Sequence, residues 1–207
     1  MKTPQDAEDF IAEQKEILSE GDCASIQYNR GVTLMNQGRY REAIEAFESA
    51  VANSGRMFEG YVNLGYIYFK LGDLEKVAEC NRKAVEIEPR YARGYANLGF
   101  AYLQMARTDE AIAALEKAIE LNPRIAQAWN NLVNAYIQKD ELDKAIATGK
   151  KLVEMAPDFG LAHNNLAYAY YLQEDYARAV EHLDRAVALG FAVHPEFLKE
   201  LEPYRRQ

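Results

Sequence analysis

Asparagines recur along the chain at a constant interval, at Asn29, Asn63, Asn97, Asn131 and Asn165. An interval of about 34 residues is typical of helical repeat arrays, in which each repeat packs against its neighbours instead of into one closed core. Rows of this length starting at Ala24 bring other residue types into register as well. A small column is Gly31, Gly65, Gly99, Val133, Ala167; a tyrosine-rich column is Leu34, Tyr68, Tyr102, Tyr136, Tyr170; and an alanine-rich column is Ala43, Val77, Ala111, Ala145, Ala179.

Each row has the pattern of two amphipathic helices. In row three, apolar residues recur at helical spacing on one face of two successive segments, and a proline follows the second. These residues are Tyr95, Leu98, Gly99, Tyr102 in the first segment, Ala111, Leu115, Ala118 in the second, and then Pro123. Small residues lie where two helices must approach closely, and large ones where they interlock. The rows therefore predict helical hairpins.

The columns resemble the tetratricopeptide repeat, a helix–turn–helix unit with the signature W-x2-L-G-x2-Y, then A-x3-F, then P. The resemblance covers Ala24 to about Val193. It implies an all-α fold, an α-solenoid in which the hairpins form a right-handed superhelix. Row two carries it with Tyr61, Leu64, Gly65, Tyr68 and Pro89, row three with the residues above, and row four with Trp129, Leu132, Tyr136, Ala145 and Pro157.

The repeats are expected at 24–57, 58–91, 92–125, 126–159 and 160–193. Apolar flanks at the ends of a solenoid need covering elements. We expect an acidic N-terminal capping helix at 1–23 and a C-terminal capping helix at 194–207. In the column where Phe47, Leu115 and Leu183 are large and apolar, Asn81 and Gly149 depart from the pattern. A glycine inside a helix costs up to about 1 kcal/mol against alanine, so higher mobility is expected in the second helix of row four.

Charge and motifs exclude several classes of function. The net charge is −8, and residues 1–22 hold −5 of it, with seven acidic side chains against two lysines. Because no basic stripe is available to neutralise phosphates, neither nucleic acid nor an anionic membrane is expected as a partner. The start of the chain lacks the features of a secretory signal, and no stretch approaches membrane-spanning length, so the expected location is cytoplasmic. Cys23 and Cys80 are expected to be reduced thiols.

No catalytic, metal-binding or cofactor-binding motif is present, so no enzyme activity, metal or cofactor is expected. His163 falls in a core column and is expected to be packed. His182 is expected on an exposed helix face, and His194 in the turn before Pro195.

The remaining candidate site is the surface of the first helices. The resemblance implies that these helices line a concave groove, and apolar residues recur at row positions 9 and 12 beside the asparagine column. An extended apolar surface rimmed by polar groups is typical of an interaction site. Packing against the neighbouring repeat is the alternative for position 12, and asparagine at position 6 is also common in the family's general pattern. The candidate groove residues are Asn29, Asn63, Tyr66, Phe69, Arg93, Asn97, Phe100, Leu103, Asn131, Asn134, Asn165, Tyr168 and Tyr171.

The partner predicted for this groove is a protein or peptide segment with apolar anchors, seated mainly over rows two to five. The carboxylate clamp of chaperone-binding members of the family is matched only at Asn63 and Arg93. Two alternatives to a peptide-binding adaptor remain open. One is a self-assembling scaffold, hence a homo-oligomer, in which a terminal helix docks into the groove of another copy. The other is a non-catalytic regulatory subunit of an enzyme complex.

Overall fold

The computed structural model describes residues 23–206, and within that range the fold is all-α, a solenoid of helical hairpins without strands. The capping helix expected at 1–23 lies outside the described residues except for Cys23. The helices are α1 (23–36), α2 (Tyr40–Asn53), α3 (Phe58–Leu71), α4 (Leu74–Ile87), α5 (Ala92–Gln104), α6 (Thr108–Leu121), α7 (Ala126–Gln138), α8 (Leu142–Met155), α9 (Gly160–Leu172), α10 (Tyr176–Ala188) and α11 (Pro195–Leu201), followed by a short 3-10 helix (Glu202–Arg206).

The helices form two compact units that divide between Arg90 and Tyr91. In the first unit, α3 packs against both α2 and α4, and the ring of Tyr28 in α1 meets Phe47 of α2 edge to face at 5.6 Å. In the second unit, α5, α7 and α9 each pack against the helix that follows, and α5 contacts α7 as α7 contacts α9. We call α1, α3, α5, α7 and α9 the first helices and α2, α4, α6, α8 and α10 the second helices.

The turn within every hairpin has one conformation. A left-handed residue occurs at the same row position in all five rows, and the next residue donates its N–H to a carbonyl five residues back, as Arg107 does to Tyr102 at 2.8 Å. This pairing satisfies carbonyls at the end of the first helix. Glycine meets the requirement at no steric cost, whereas three rows use another residue. The five residues are Gly38, Gly72, Ala106, Asp140 and Glu174.

The core follows the columns seen in the sequence. Leu34, Tyr68, Tyr102, Tyr136 and Tyr170 are all buried, as is the alanine-rich column. Row four is packed differently from the others. Val133 is buried in place of a small residue, and Leu152 is buried where the other rows have alanine. A Cβ added to Gly149 would lie 3.0 Å from Cδ1 of Leu166, so leucine from α9 packs over the glycine. The mobility expected for α8 stays a prediction.

The C-terminal segment is held against the last hairpin. Gly190 takes a left-handed conformation after α10, and Pro195 is the first residue of α11. α11 and the 3-10 helix both contact α10, and Leu201 is fully buried. The ring of Tyr204 stacks on Tyr176 at 3.9 Å, and Arg205 pairs with Asp184. These contacts place the segment over the end of row five.

Candidate interaction surface of the first helices

Charged residues are distributed unequally between the two kinds of helix. α7 and α9 contain no Asp, Glu, Lys or Arg, and α5 contains only Arg93. Each of α4, α6, α8 and α10 carries four to six such residues. Most ion pairs of the described chain join neighbouring surface residues, as Arg107 and Glu110 do at 2.9 Å. An accessible face without charge can be covered by a partner at little desolvation cost, so the first helices are the better candidates for binding.

In the first unit, α3 presents two large aromatic side chains to solvent. Tyr66 and Phe69 are each 47% exposed, and Nζ of Lys70 lies 5.4 Å from the centre of the Tyr66 ring. Asn63 lies one turn away and donates from Nδ2 to the hydroxyl of Tyr28 at 3.2 Å. That hydrogen bond fixes the Asn63 amide between α1 and α3. Asn29 is exposed on α1.

In the second unit, asparagines from α7 and α9 form a connected network. Nδ2 of Asn165 donates to Oδ1 of Asn130 at 3.0 Å and to Oδ1 of Asn134 at 2.8 Å. Oδ1 of Asn165 accepts from Nδ2 of Asn164 at 3.3 Å. Both amide protons of Asn165 are therefore engaged within the protein, while oxygen lone pairs remain along the network. Asn164 and Asn165 together keep three oxygen lone pairs but one N–H, so this pair offers more hydrogen-bond acceptors than donors.

Aromatic side chains continue from this network to the end of the chain. Tyr168 is 42% exposed, and its ring is stacked on Tyr171 at 6.4 Å. Phe197 of α11 meets both tyrosines edge to face at 5.6 Å. Tyr171 also meets Tyr176 at 5.9 Å. α11 thus packs on the face of α9 that carries Tyr168 and Tyr171, two of the predicted groove residues.

A cleft opens between α9 and the C-terminal segment. Its walls combine amides, aromatic rings and two carboxylates, without a lysine or arginine. The charge of Glu200, together with burial and a hydrogen bond to that carboxylate, raises the pKa of Tyr171. Glu200 therefore lies beside the aromatic cluster. The lining residues are Asn164, Asn165, Tyr168, Phe191, Ala192, His194, Glu196, Phe197 and Glu200.

The predicted groove residues differ in accessibility. Leu103 and Asn131 are each only 5% exposed, so little of either side chain is accessible to a ligand in this structure. α5 packs against α7 in the second unit, and Oδ1 of Asn131 accepts from Gln127 at 3.0 Å. The exposed members of the set are Asn29, Tyr66, Phe69, Arg93, Asn97 and Tyr168. The half-buried members are Asn63, Phe100, Asn134, Asn165 and Tyr171.

Sequence reasoning missed three contributors in the second unit. Asn130 and Asn164 each precede the asparagine column by one residue, and both are hydrogen-bonded to Asn165. They share a row position that is asparagine only in rows four and five. Phe197 was expected only as part of a capping helix. The adjacent asparagine pairs 130–131 and 164–165 are a signal that could have indicated a network, since side chains one residue apart on a helix point to different neighbours.

The two histidines of row five pair with each other. Their Nδ1 atoms are 3.1 Å apart, and Nε2 of His163 lies 3.1 Å from the carbonyl oxygen of Pro157. Because that carbonyl can only accept, Nε2 of neutral His163 carries the proton and Nδ1 accepts from His182. Burial, followed by the neighbouring His163, lowers the pKa of His182.

The two histidines were expected in different environments, one packed and one exposed. His163 is 7% exposed, which confirms its expected packed position. The expectation for His182 was wrong, because its half-buried ring is parallel to Tyr170 at 5.7 Å.

Among residues 23–206, no three His, Cys, Asp or Glu side chains are grouped to bind a metal ion. Over the same range, no helix has both the length and the hydrophobicity to cross a bilayer.

Family models for repeats of one kind match most of the chain. A tetratricopeptide repeat model matches residues 97–158, a TPR repeat model matches 65–105, and a further tetratricopeptide repeat model matches 24–55 and 160–190. No curated protein matches the chain.

Several solved structures share the fold. A crystal structure of MamA protein is 26% identical with a TM-score of 0.78, and the alignment covers 84% of this chain and 100% of that one. MamA from Desulfovibrio magneticus RS-1 is 22% identical with a TM-score of 0.76, covering 82% of this chain and 96% of that one. YrrB, a TPR protein with an unusual peptide-binding site, is 20% identical with a TM-score of 0.72, covering 87% and 90%.

Proposed function

The chain is a tetratricopeptide repeat protein, and on that basis we propose that it is a non-catalytic adaptor that binds a protein or peptide segment on the exposed faces of its first helices. The observation that carries the proposal is the exposure of large aromatic side chains on helices with few or no charges. Tyr66 and Phe69 are 47% exposed in the first unit, and Tyr168 is 42% exposed in the second.

These side chains have the chemistry of binding anchors. Tyrosine and phenylalanine bury a large area on binding, and few of their bonds lose rotational freedom. Truncation of such an anchor weakens binding by about 2 kcal/mol or more at a hot spot. The amides of Asn63 and Asn165 lie one helical turn before the exposed rings of Tyr66 and Tyr168. Amide groups donate to and accept from a peptide backbone, with a net contribution of roughly 0.5–1.5 kcal/mol for each hydrogen bond.

The similar proteins support this proposal to different degrees. The fold shared with MamA and with YrrB is that of an interaction scaffold. The peptide-binding site is a property of YrrB. At 20% identity, the likeness between YrrB and this chain concerns the fold alone. The particular ligand of this chain must therefore be sought from its own side chains.

Panning a phage-displayed library of random dodecapeptides on the full chain tests the proposal. Enriched peptides should bind in solution, and Tyr66→Ala or Tyr168→Ala should weaken a peptide that uses that ring by about 30-fold, the equivalent of 2 kcal/mol. Met155→Ala is the matched control, because Met155 is 47% exposed but lies on the second helix α8. If no peptide is enriched, or if Met155→Ala weakens binding as much as the tyrosine variants, the proposal fails.

Self-association is a second candidate function, favoured by the position of α11. Phe197 packs on Tyr168 and Tyr171, so a face of the first helix α9 already binds a helix of the same chain through aromatic contacts. A terminal helix of another copy would use similar contacts. Light scattering of the full chain should then show a mass that rises with protein concentration, and a constant monomer mass would reject this candidate.

A further inference from the structure

Resting on the adaptor function proposed above, we propose that the cleft between α9 and the C-terminal segment binds an arginine or lysine side chain of the partner peptide. The residues that line the cleft include two aromatic rings, two amides and two carboxylates: Tyr168 and Phe197, Asn164 and Asn165, and Glu196 and Glu200. The partner segment is thus apolar over most of its length and basic at one position.

Charge complementarity is the first argument for a basic ligand. Two carboxylates and no lysine or arginine line the cleft, and His194 lies 3.8 Å from Glu196. α9 supplies no charged side chain that could neutralise them. An anionic ligand would be repelled at this place, and a purely apolar one would have to desolvate carboxylates without compensation.

The aromatic rings provide the second argument. Tyr168 and Phe197 meet edge to face at 5.6 Å, so their rings stand at a steep angle to each other, and Tyr168 remains 42% exposed. A cation over the face of an aromatic ring is attracted by the ring quadrupole, and arginine forms this contact more often than lysine. Its planar guanidinium can stack on a ring while its N–H groups reach a carboxylate.

Hydrogen-bond polarity is the third argument. Both amide protons of Asn165 are engaged by Asn130 and Asn134, while its oxygen accepts from Asn164. The two amides that line the cleft, Asn164 and Asn165, together keep three oxygen lone pairs and one N–H for a ligand, and guanidinium has five N–H donors and no acceptor. Glu200 lies near enough to Tyr171 for its charge to raise the pKa of that tyrosine, so this carboxylate stands beside the aromatic rings of the cleft.

The dodecapeptides selected on the full chain provide the probes. Those whose binding is weakened by Tyr168→Ala should contain arginine or lysine. Replacing that arginine with citrulline, its neutral isostere, should weaken binding to the unmodified protein by about tenfold. In the variants Glu200→Gln and Glu196→Gln, which keep the shape and an acceptor oxygen, the ratio of arginine to citrulline affinity should fall, to near one in at least one of the two. Glu154→Gln, an exposed carboxylate of α8, is the matched control and should leave the ratio unchanged.

The outcomes separate this inference from the function on which it rests. Failure to enrich any peptide rejects the adaptor function itself. Peptides that bind but do not depend on Tyr168, that lack a basic residue, or that keep their arginine preference in both Glu200→Gln and Glu196→Gln overturn the cleft assignment and leave the adaptor function standing. Melting curves of the two glutamine variants should match that of the unmodified protein, since both carboxylates are exposed.

Discussion

Close helix contacts depend on single residues that lack a side chain. A Cβ added to Gly99 of α5 would lie 2.4 Å from Cγ of Leu115 and 3.2 Å from the carbonyl oxygen of Ala111. An added Cβ at Gly31 would likewise clash with the side chain of Phe47, and one at Gly65 with the side chain of Asn81. Leu115 is fully buried and has no room to withdraw. In rows one to three, the small column of the sequence is therefore a steric requirement of the hairpin.

Gly99→Ala tests this requirement. Forcing a methyl group into a filled space should lower the free energy of unfolding by about 2–3 kcal/mol, although alanine is the better helix former. Gly55→Ala is the matched control, because an added Cβ there meets nothing within 4 Å. Urea denaturation followed by circular dichroism measures both. Similar midpoints for the two variants would contradict the steric account.

The two cysteines should differ in reactivity for reasons of burial. Burial raises the pKa of Cys80 to about 12, whereas Cys23 is exposed. Since the thiolate is the reactive form, only about one Cys80 in 10,000 is ionised at pH 8, and its reactivity should rise only as the pH approaches 12. A disulfide reagent should therefore label one thiol per native chain, and the second after unfolding. Fast labelling of a Cys23→Ser variant would contradict this expectation.

At the scale of elements, α11 covers the end of row five. Leu201 is fully buried, and Phe197 and Tyr204 pack on the rings of α9 and α10. Leu201→Ala should reduce stability by about 2–4 kcal/mol because it leaves a cavity against α10. Hydrogen exchange in α10 should accelerate accordingly. The exposed neighbour Lys199→Ala is the control, and equal exchange in the two variants would show that the segment does not stabilise row five.

The hairpins could be predicted closely from the sequence, whereas the site could be predicted only in part. The repeat period determines which side chains face the partner helix, so the positions of Tyr68, Tyr102 and Tyr136 in the core followed directly. Accessibility on the opposite face also depends on the neighbouring repeat. Leu103 is 5% exposed, while Phe69, in the same column, is 47% exposed. A column alone does not distinguish these two cases.

Non-repeating residues were the other source of error. The contact of Phe197 with Tyr168 and Tyr171 comes from a segment outside the period, and the segment itself divides into α11 and a 3-10 helix. The asparagine network needs Asn130 and Asn164, whose shared row position is not asparagine in rows one to three. Details of this kind depend on distances between helices, which a repeat pattern does not contain.

At the scale of the whole molecule, the distribution of charge should determine how binding responds to salt. The proposed partner contacts first helices that carry few charges, with one ionic contact at the C-terminal cleft. Raising the salt concentration from about 50 to 500 mM should therefore weaken a true partner only by about threefold, as expected for one partly screened ion pair. Phe100→Ala and Tyr168→Ala should each weaken it more than Asn97→Ala, since aromatic anchors contribute more than a single amide hydrogen bond. Fluorescence anisotropy with a labelled peptide selected on the full chain measures all four effects. A partner whose affinity collapses in salt but ignores both aromatic substitutions would move the binding site to the charged second helices.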